Sequence, residues 1–219
     1  MKKTRLIFIG FLFANLAFGQ TINIHGGTSF SKLDWHINNL NTNIYNKPLI
    51  GISLFAGIDY FDSKFFNLSS NVGFIRKGGK QEINLIFENP EPNGSVFKKT
   101  STLDYLSINT LFDLKYLIKG KIIPFVTFGP RFDILIKYSD DFTILKKNNN
   151  LHRNSYGIII GGGFKYQFSN ILLGVRSDYY LNLSNIAKWS ETSLQMGGNV
   201  SDKTFTTSFT IGYKLINKK

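Results

Sequence analysis

Cysteine is absent from the 219 residues, which excludes a disulfide scaffold, a thiolate metal site and a cysteine nucleophile. Histidine is nearly as scarce: His25, His36 and His152 lie far apart and leave little for a zinc site. Charged residues make up only 18% of the chain, and the acidic sign is the rarer one, 14 against 26 basic. Beyond the first twenty residues, no stretch approaches the ~18 apolar residues of a membrane-crossing helix. What the chain does have is aromatic and aliphatic bulk: 42% hydrophobic, with 21 Phe and 10 Tyr. Phe, Tyr and Ile favour strands, while the many Asn, Ser and Gly favour turns, so composition points to an all-β domain. The length suits a single barrel-sized unit.

The opening MKKTRLIFIGFLFANLAFGQ has Lys2, Lys3 and Arg5 before an apolar run from Leu6 to Phe18. Ala17 and Gly19 supply the small residues a signal peptidase reads, so residues 1–19 are expected to be a cleaved secretory signal. The run is too short to cross ~30 Å of hydrocarbon as a helix. Its removal takes away three of the 26 basic residues and none of the 14 acidic ones, leaving an excess of nine. Residues 20–219 are then the mature domain. Without a helix, such a chain enters a membrane only as a closed barrel.

Period-two alternation, the mark of a strand with two unlike faces, is clearest at the end of the chain. In 204–215, Phe205, Phe209, Ile211, Tyr213 and Leu215 oppose Thr204, Thr206, Ser208, Thr210 and Lys214. The same pattern recurs in 22–32, 50–60, 66–77, 104–118, 122–138, 156–168 and 171–183, each long enough for the ~9–11 residues of a tilted membrane strand. Long links near 33–49, 78–103, 139–155 and 184–203 alternate with short ones at 61–65, 119–121 and 169–170. Eight strands joined in this way put both termini at the short-turn end, the periplasmic side of an outer-membrane barrel. Segments 81–87 and 96–103, flanking NPEPNG at 89–94, suggest that the second long link is partly a hairpin.

Alternation alone does not say which face points outward. An eight-stranded barrel is only wide enough for side chains or one small ligand, and rings of Phe, Tyr and Ile would crowd it. The small polar face fits the lumen better. Asp113/Lys115, Arg131/Asp133 and Arg176/Asp178 sit mid-strand on that face, and Asp59 joins them. Paired across the lumen, these charges would plug the barrel; on the lipid face, each basic group would cost ~2–4 kcal/mol near the midplane. Tyr60, Tyr116, Tyr138, Tyr156, Tyr166 and Tyr213 lie near strand ends on the apolar face, where interfacial girdles place aromatics.

Several strands also resemble the PorT-like outer-membrane β-barrel family common in Bacteroidota. INIHGGTSFSKL at 22–33 resembles its glycine-containing opening strand, and NVGFIRKGGK at 71–80 its strand ending in Lys-Gly-Gly. YLSINTLFDLKY at 105–116, PFVTFGPRFDILI at 124–136 and the closing TFTTSFTIGYKL at 204–215 resemble later strands. The likeness covers nearly all of 21–216 and departs at Asn109, where the family has proline. It implies a barrel in a Gram-negative outer membrane, inserted by the barrel-assembly machinery through an aromatic signal in the final strand, here Tyr213 with Leu215. It implies no common reaction.

Motifs for chemistry are missing: there is no G-x-S-x-G, H-E-x-x-H, P-loop, EF-hand or Cys/His cluster. GGGF at 161–164 lies inside a strand, where glycine lets neighbours pack closely. His25, with Ser29, Ser31 and Asp59, is the one arrangement that suggests a hydrolase, and a satisfied buried histidine is the simpler reading. His152 with Asp140 and Asp141 shares a loop in which solvated polar residues are the default. The basic excess is spread over Lys64, Lys119, Lys121, Lys214, Lys218 and Lys219 at the short-turn end, without an aromatic-basic patch, so nucleic acid is not expected as a partner. No catalytic, cofactor-binding or metal residue is assigned, and no cofactor is expected. The expectation is a non-enzymatic outer-membrane barrel with a plugged lumen, in contact with outer-membrane lipid. Any protein or surface ligand would bind through its loops. A small pore, an outer-membrane hydrolase and a soluble secreted ligand-binding barrel are the alternatives.

Overall fold

The computed structural model describes residues 21–38, 44–84, 96–118, 121–191 and 197–215. The expected signal segment, the turn at 89–94 and the residues after 215 lie outside them. Each alternating segment forms a strand: β1 (Thr21–Ile37), β2 (Lys47–Asp62), β3 (Phe66–Asn84), β4 (Val96–Lys115), β5 (Ile122–Tyr138), β6 (Asn154–Phe168) and β7 (Ile171–Asn182). A three-residue β8 (Ala187–Trp189) precedes the long closing strand β9 (Gly198–Lys214). Neighbours pair antiparallel in the order β1-β2-β3-β4-β5-β6-β7-β9, and β9 pairs back with β1 from Thr21↔Lys214 to Ile37↔Gly198. Eight strands therefore close into an up-and-down ring, while β8 is an extra rung on β9. Closure leaves no free edge among the eight.

The two short links that are wholly described, 61–65 and 169–170, are tight turns. Ser169, at φ 53°, and Asn170 join β6 to β7, and the Ser63 N–H donates to the Phe66 carbonyl between β2 and β3. The long-link end is more ordered than the sequence suggests. β3 and β4 run on to the pair Asn84↔Val96, which extends the anticipated hairpin into a continuous ribbon. Residues 140–147 form a 3-10 turn (Asp140–Phe142) leading into a short helix α1 (Thr143–Lys147).

Two kinds of interior lie inside this one ring. Along most of the wall the outward side chains are apolar and exposed, among them Ile24, Ile52, Val72, Ile108, Val126, Phe164, Leu173 and Phe209, the last at 71%. The inward ones there are mostly small or polar and buried, including Asn23, Ser53, Asn71, Asn109, Thr127, Arg176, Thr206 and Thr210. From Phe205 to Leu215 the exposed side chains cover about 34 Å of strand, or about 26 Å at a tilt of ~40°, close to the ~25 Å apolar band of membrane barrels. Toward the long-link end, the inward side chains become apolar instead. Leu33, Leu103, Phe142, Leu145, Leu151, Ile186, Trp189 and Val200 pack with Tyr45, and Trp35 meets Tyr45, Phe142 and Trp189 in tilted ring contacts at centroid distances of 5.9, 5.8 and 6.2 Å. This cluster caps the ring.

One bulge changes two sequence expectations. β5 holds one extra residue between the pairs Tyr105↔Leu135 and Asp104↔Lys137. A single inserted residue reverses the alternation beyond it. Lys137, which follows the polar phase of Arg131 and Asp133 along β5, is therefore exposed, and Tyr138, expected in the outer girdle, pairs with Leu103 and packs on the cap. Tyr116, Tyr156, Tyr166 and Tyr213 are exposed on the outer wall, while Tyr60 is half-buried.

Candidate functional site

The feature with the most chemistry is the lumen, where strand alternation drives charged side chains from opposite walls into one narrow space. Lys77, Arg131, Lys165 and Arg176 meet Asp59, Asp113, Asp133, Asp178 and Asp202, and all nine are buried. An unpaired charge in such a place would be prohibitive, so geometry has to match each cation to carboxylates. Lys77 Nζ lies 3.0 Å from Asp133 and 3.4 Å from Asp202. Arg131 shares Asp133 with it and donates to Asn182, which in turn donates to Asp202 at 2.9 Å. The Thr204 hydroxyl adds a 2.6 Å hydrogen bond to Asp202.

A second group lies nearer the short-turn end. Lys165 donates to Asp113 at 3.1 Å, and Arg176 forms a two-pronged bond to Asp178 at 2.8 and 3.0 Å. Asp59 accepts a 2.7 Å bond from Asn23. Each group is floored by aromatic rings. Lys77 sits over Tyr105 and Tyr180 at 5.2 and 5.4 Å, and Arg131 lies 5.1 Å from the Tyr180 ring. Lys165 and Arg176 lie 4.8 and 5.9 Å from the ring of Phe125. Cations at these distances gain from the ring quadrupole where little water competes. Gly161 and Gly163 make room for the second group: a β-carbon on either would collide with the β7 backbone beneath Arg176 and Asp178.

Of the seven charges singled out in the sequence, Asp59, Asp113, Arg131, Asp133, Arg176 and Asp178 lie in the lumen, and Lys115 is half-buried at the short-turn end. Two of the three spacing-two pairs are in contact, Arg131–Asp133 and Arg176–Asp178. The third is not: Lys115 pairs with Asp62, which Lys214 also approaches at 3.5 Å, and Asp113 takes Lys165. The sequence reading did not place Lys77 or Lys165 in the network, although both share the polar phase of their strands. It left Asp202 in a loop, because the apolar face of β9 stops at Phe205 while the strand itself begins at Gly198.

Between the two groups a void of about 20 Å³ remains, bordered by His25, Phe55, Asn71, Arg176 and Tyr180. That is room for about one water molecule rather than a channel. His25 shares a 2.8 Å hydrogen bond with Thr210, Ser29 donates to the Arg76 carbonyl, and Ser31 accepts from the Gly78 N–H at 2.7 Å. The partners of His25, Ser29, Ser31 and Asp59 in these hydrogen bonds are thus Thr210, two backbone groups and Asn23 rather than one another.

At the cap, the carboxylate of Asp141 accepts hydrogen bonds from Ser101 at 2.8 Å and Tyr45 at 3.1 Å and pairs with Lys99. Burial alone would raise its pKa, but the bonds from Lys99, Ser101 and Tyr45 outweigh that and hold the carboxyl below its usual range. Burial, with the neighbouring Asp141 charge, pushes the Tyr45 hydroxyl up to about 12. His152 bonds the Asn185 carbonyl at 3.0 Å, and no group of three or more potential metal ligands occurs among the described residues.

No known protein family and no curated protein matches the sequence. Solved structures do match the fold. The outer-membrane protein OprG of Pseudomonas aeruginosa is 12% identical, with a TM-score of 0.54 over 91% of this chain and 97% of that one. Neisserial surface protein A is 11% identical, with a TM-score of 0.48 over 89% of this chain and 97% of that one. At such identity the likeness concerns architecture alone. The class it defines, together with the closed ring, is the eight-stranded antiparallel barrel of outer-membrane proteins.

Proposed function

We propose that this chain is an exported outer-membrane barrel with a closed lumen, acting as a structural or surface-interaction protein without catalysing a reaction. One observation carries the reading: apolar side chains clothe the ring while cations and carboxylates pair along its axis, the reverse of a water-soluble barrel. Arg131 and Arg176 are buried, whereas Phe205, Phe209 and Tyr213 are exposed. Lipid is the solvent that makes both placements favourable. The PorT-like character of its strands and the signal-like segment 1–19 agree with export to that membrane, with assembly by the barrel-assembly machinery, and with the long-link end facing outward.

The paired charges argue against a pore. Moving an ion through the lumen would mean separating Lys77 from Asp133 and Asp202, and breaking a buried pair of this kind costs ~3–5 kcal/mol. Function then falls to the cap and the long links, where a rigid barrel presents variable segments. Membrane fractionation combined with heat-modifiable gel migration tests the reading. The expected result is a detergent-requiring band that shifts on boiling, with no stepwise conductance in planar bilayers. A protein that stays in the aqueous phase without detergent, or one that conducts, would contradict it.

A further inference from the structure

The outer wall has a notch at its upper rim. β7 is the shortest of the eight barrel strands, ending at Asn182, while its neighbour β9 continues up to Gly198. The chain leaves the wall at Leu183 and returns to β9 only with β8. The space left open is a groove of about 340 Å³, bordered by Tyr179, Leu181 and Leu183 on the β7 side and by Ser201 and Lys203 on the β9 side, with the hydrogen-bonded Asn182 and Asp202 behind them. Its β7 wall is therefore apolar and continuous through Tyr179 with the exposed belt, and its β9 wall carries a hydroxyl and an ammonium.

A second observation fixes the sign of what would sit there. Lys32 on β1 lies directly opposite Lys203 on β9, one outward rung above the pair Phe30↔Phe205. Like charges directly opposite on a sheet destabilise each other unless an anion lies between or beside them. Asp34 compensates in part through its 2.8 Å contact with Lys203, so the two lysines and one aspartate leave an uncompensated positive charge at the head of the groove. The Lys203 side chain remains 66% exposed despite that contact.

From this juxtaposition we infer that the β7–β9 groove is a binding site for an anionic phospholipid, one whose headgroup phosphate carries no cation of its own. Its acyl chain lies against Tyr179 and Leu181, and its headgroup phosphate lies between Lys203 and Lys32. The inference rests on the membrane-barrel reading and adds a ligand to it. A free phosphate would use only the lysines and leave the apolar half of the groove exposed to water, whereas a lipid satisfies both halves. The level is also right, because the lysines begin where the apolar belt ends.

Native mass spectrometry of the full chain in detergent, with phosphatidylglycerol and phosphatidylcholine of identical acyl chains, tests it. Preferential retention of phosphatidylglycerol is expected, falling roughly fivefold for each of Lys32→Ala and Lys203→Ala, the scale of one basic side chain at an anionic surface. Asp34→Asn should raise retention, and Lys121→Ala, at the opposite end of the barrel, should leave it unchanged. Equal retention of the two lipids, an equal fall with Lys121→Ala, or displacement of the lipid by inorganic phosphate would overturn the site. Heat-modifiable migration of each sample separates the two readings. A wild type that migrates as folded but does not discriminate between the lipids sinks the lipid site alone, whereas one that never shows the shift sinks the barrel reading with it.

Discussion

Below the Phe30↔Phe205 rung, β1 and β9 present Ile22, Ile24, Phe209 and Ile211 outward and Asn23, His25, Ser208 and Thr210 inward. Above it, the same two strands, still hydrogen-bonded rung by rung, turn Lys32, Asp34, Ser201 and Lys203 outward and bury Leu33 and Val200. Neither the backbone nor the pairing changes at the boundary; only the side-chain chemistry of the two faces changes places. β3 does the same, passing from outward Phe74 to outward Arg76, which bonds Asp104 at 2.7 and 2.9 Å. A strand is indifferent to what surrounds it, so the switch records a change of solvent from hydrocarbon to water. The lower region is held by ion pairs in a lumen shielded by lipid, and the upper one by an ordinary apolar core.

The largest effect should come from unpairing the lower region. Lys165→Met leaves Asp113 buried with one cation fewer, and a loss of ~3–5 kcal/mol is expected in denaturant unfolding followed by heat-modifiable migration. A change within ~0.5 kcal/mol would mean that water reaches the lumen and the two regions do not differ.

Arginine placed on the outer wall sharpens the contrast next. Phe209→Arg, inside the belt, should cost ~2–4 kcal/mol, whereas Ser201→Arg, above the rung, should stay within ~0.5 kcal/mol. Equal costs at the two positions would erase the boundary.

In the upper region, acid should act through Asp141. Asp141 has a folded pKa held below the ordinary carboxylate range, so its contribution is complete above that range and is lost as pH falls through the lowered value. The chain has two tryptophans, Trp35 and Trp189, and both belong to the cap, so tryptophan emission reports that region selectively. A red shift is expected only below about pH 4, the usual carboxylate value, and Asp141→Asn should abolish the acid step. A wild-type shift near pH 6 would point to another group.

The smallest effect belongs to the exposed pair on the rim. Asp34→Ala should change stability by less than ~1 kcal/mol, measured as for Lys165→Met, because water already solvates Lys203.

The contrast between belt and cap also explains how much was legible from residues alone. Within the belt, each strand has one largely apolar face, broken only by small or hydroxyl residues such as Thr28, Ser70, Thr110, Ser177 and Thr207, so strand number, link order and the outward direction of Phe205 and Phe209 could be read off. The lumenal charges were legible as a set but not as pairs. Residues two apart on a strand share a face, yet a long side chain reaches across the lumen as easily as along the wall, as Lys165 does to Asp113. The cap was hidden because Leu33 and Trp35 continue the phase of Ser29 and Ser31, so alternation seemed to dissolve into loop where it had only exchanged faces. The bulge at Leu135–Lys137 was invisible for a related reason: an inserted residue leaves composition unchanged while reversing the facing of every later residue on the strand.

The exchange of faces is open to direct measurement because the native chain has no cysteine. Single cysteines at Phe209 and Ser201, each carrying the same fluorophore and reconstituted in vesicles, can be quenched by nitroxides attached to lipid tails or by a water-soluble quencher. Strong lipid-tail quenching at 209 with aqueous quenching at 201 is the expected result; aqueous quenching at both positions would contradict the account.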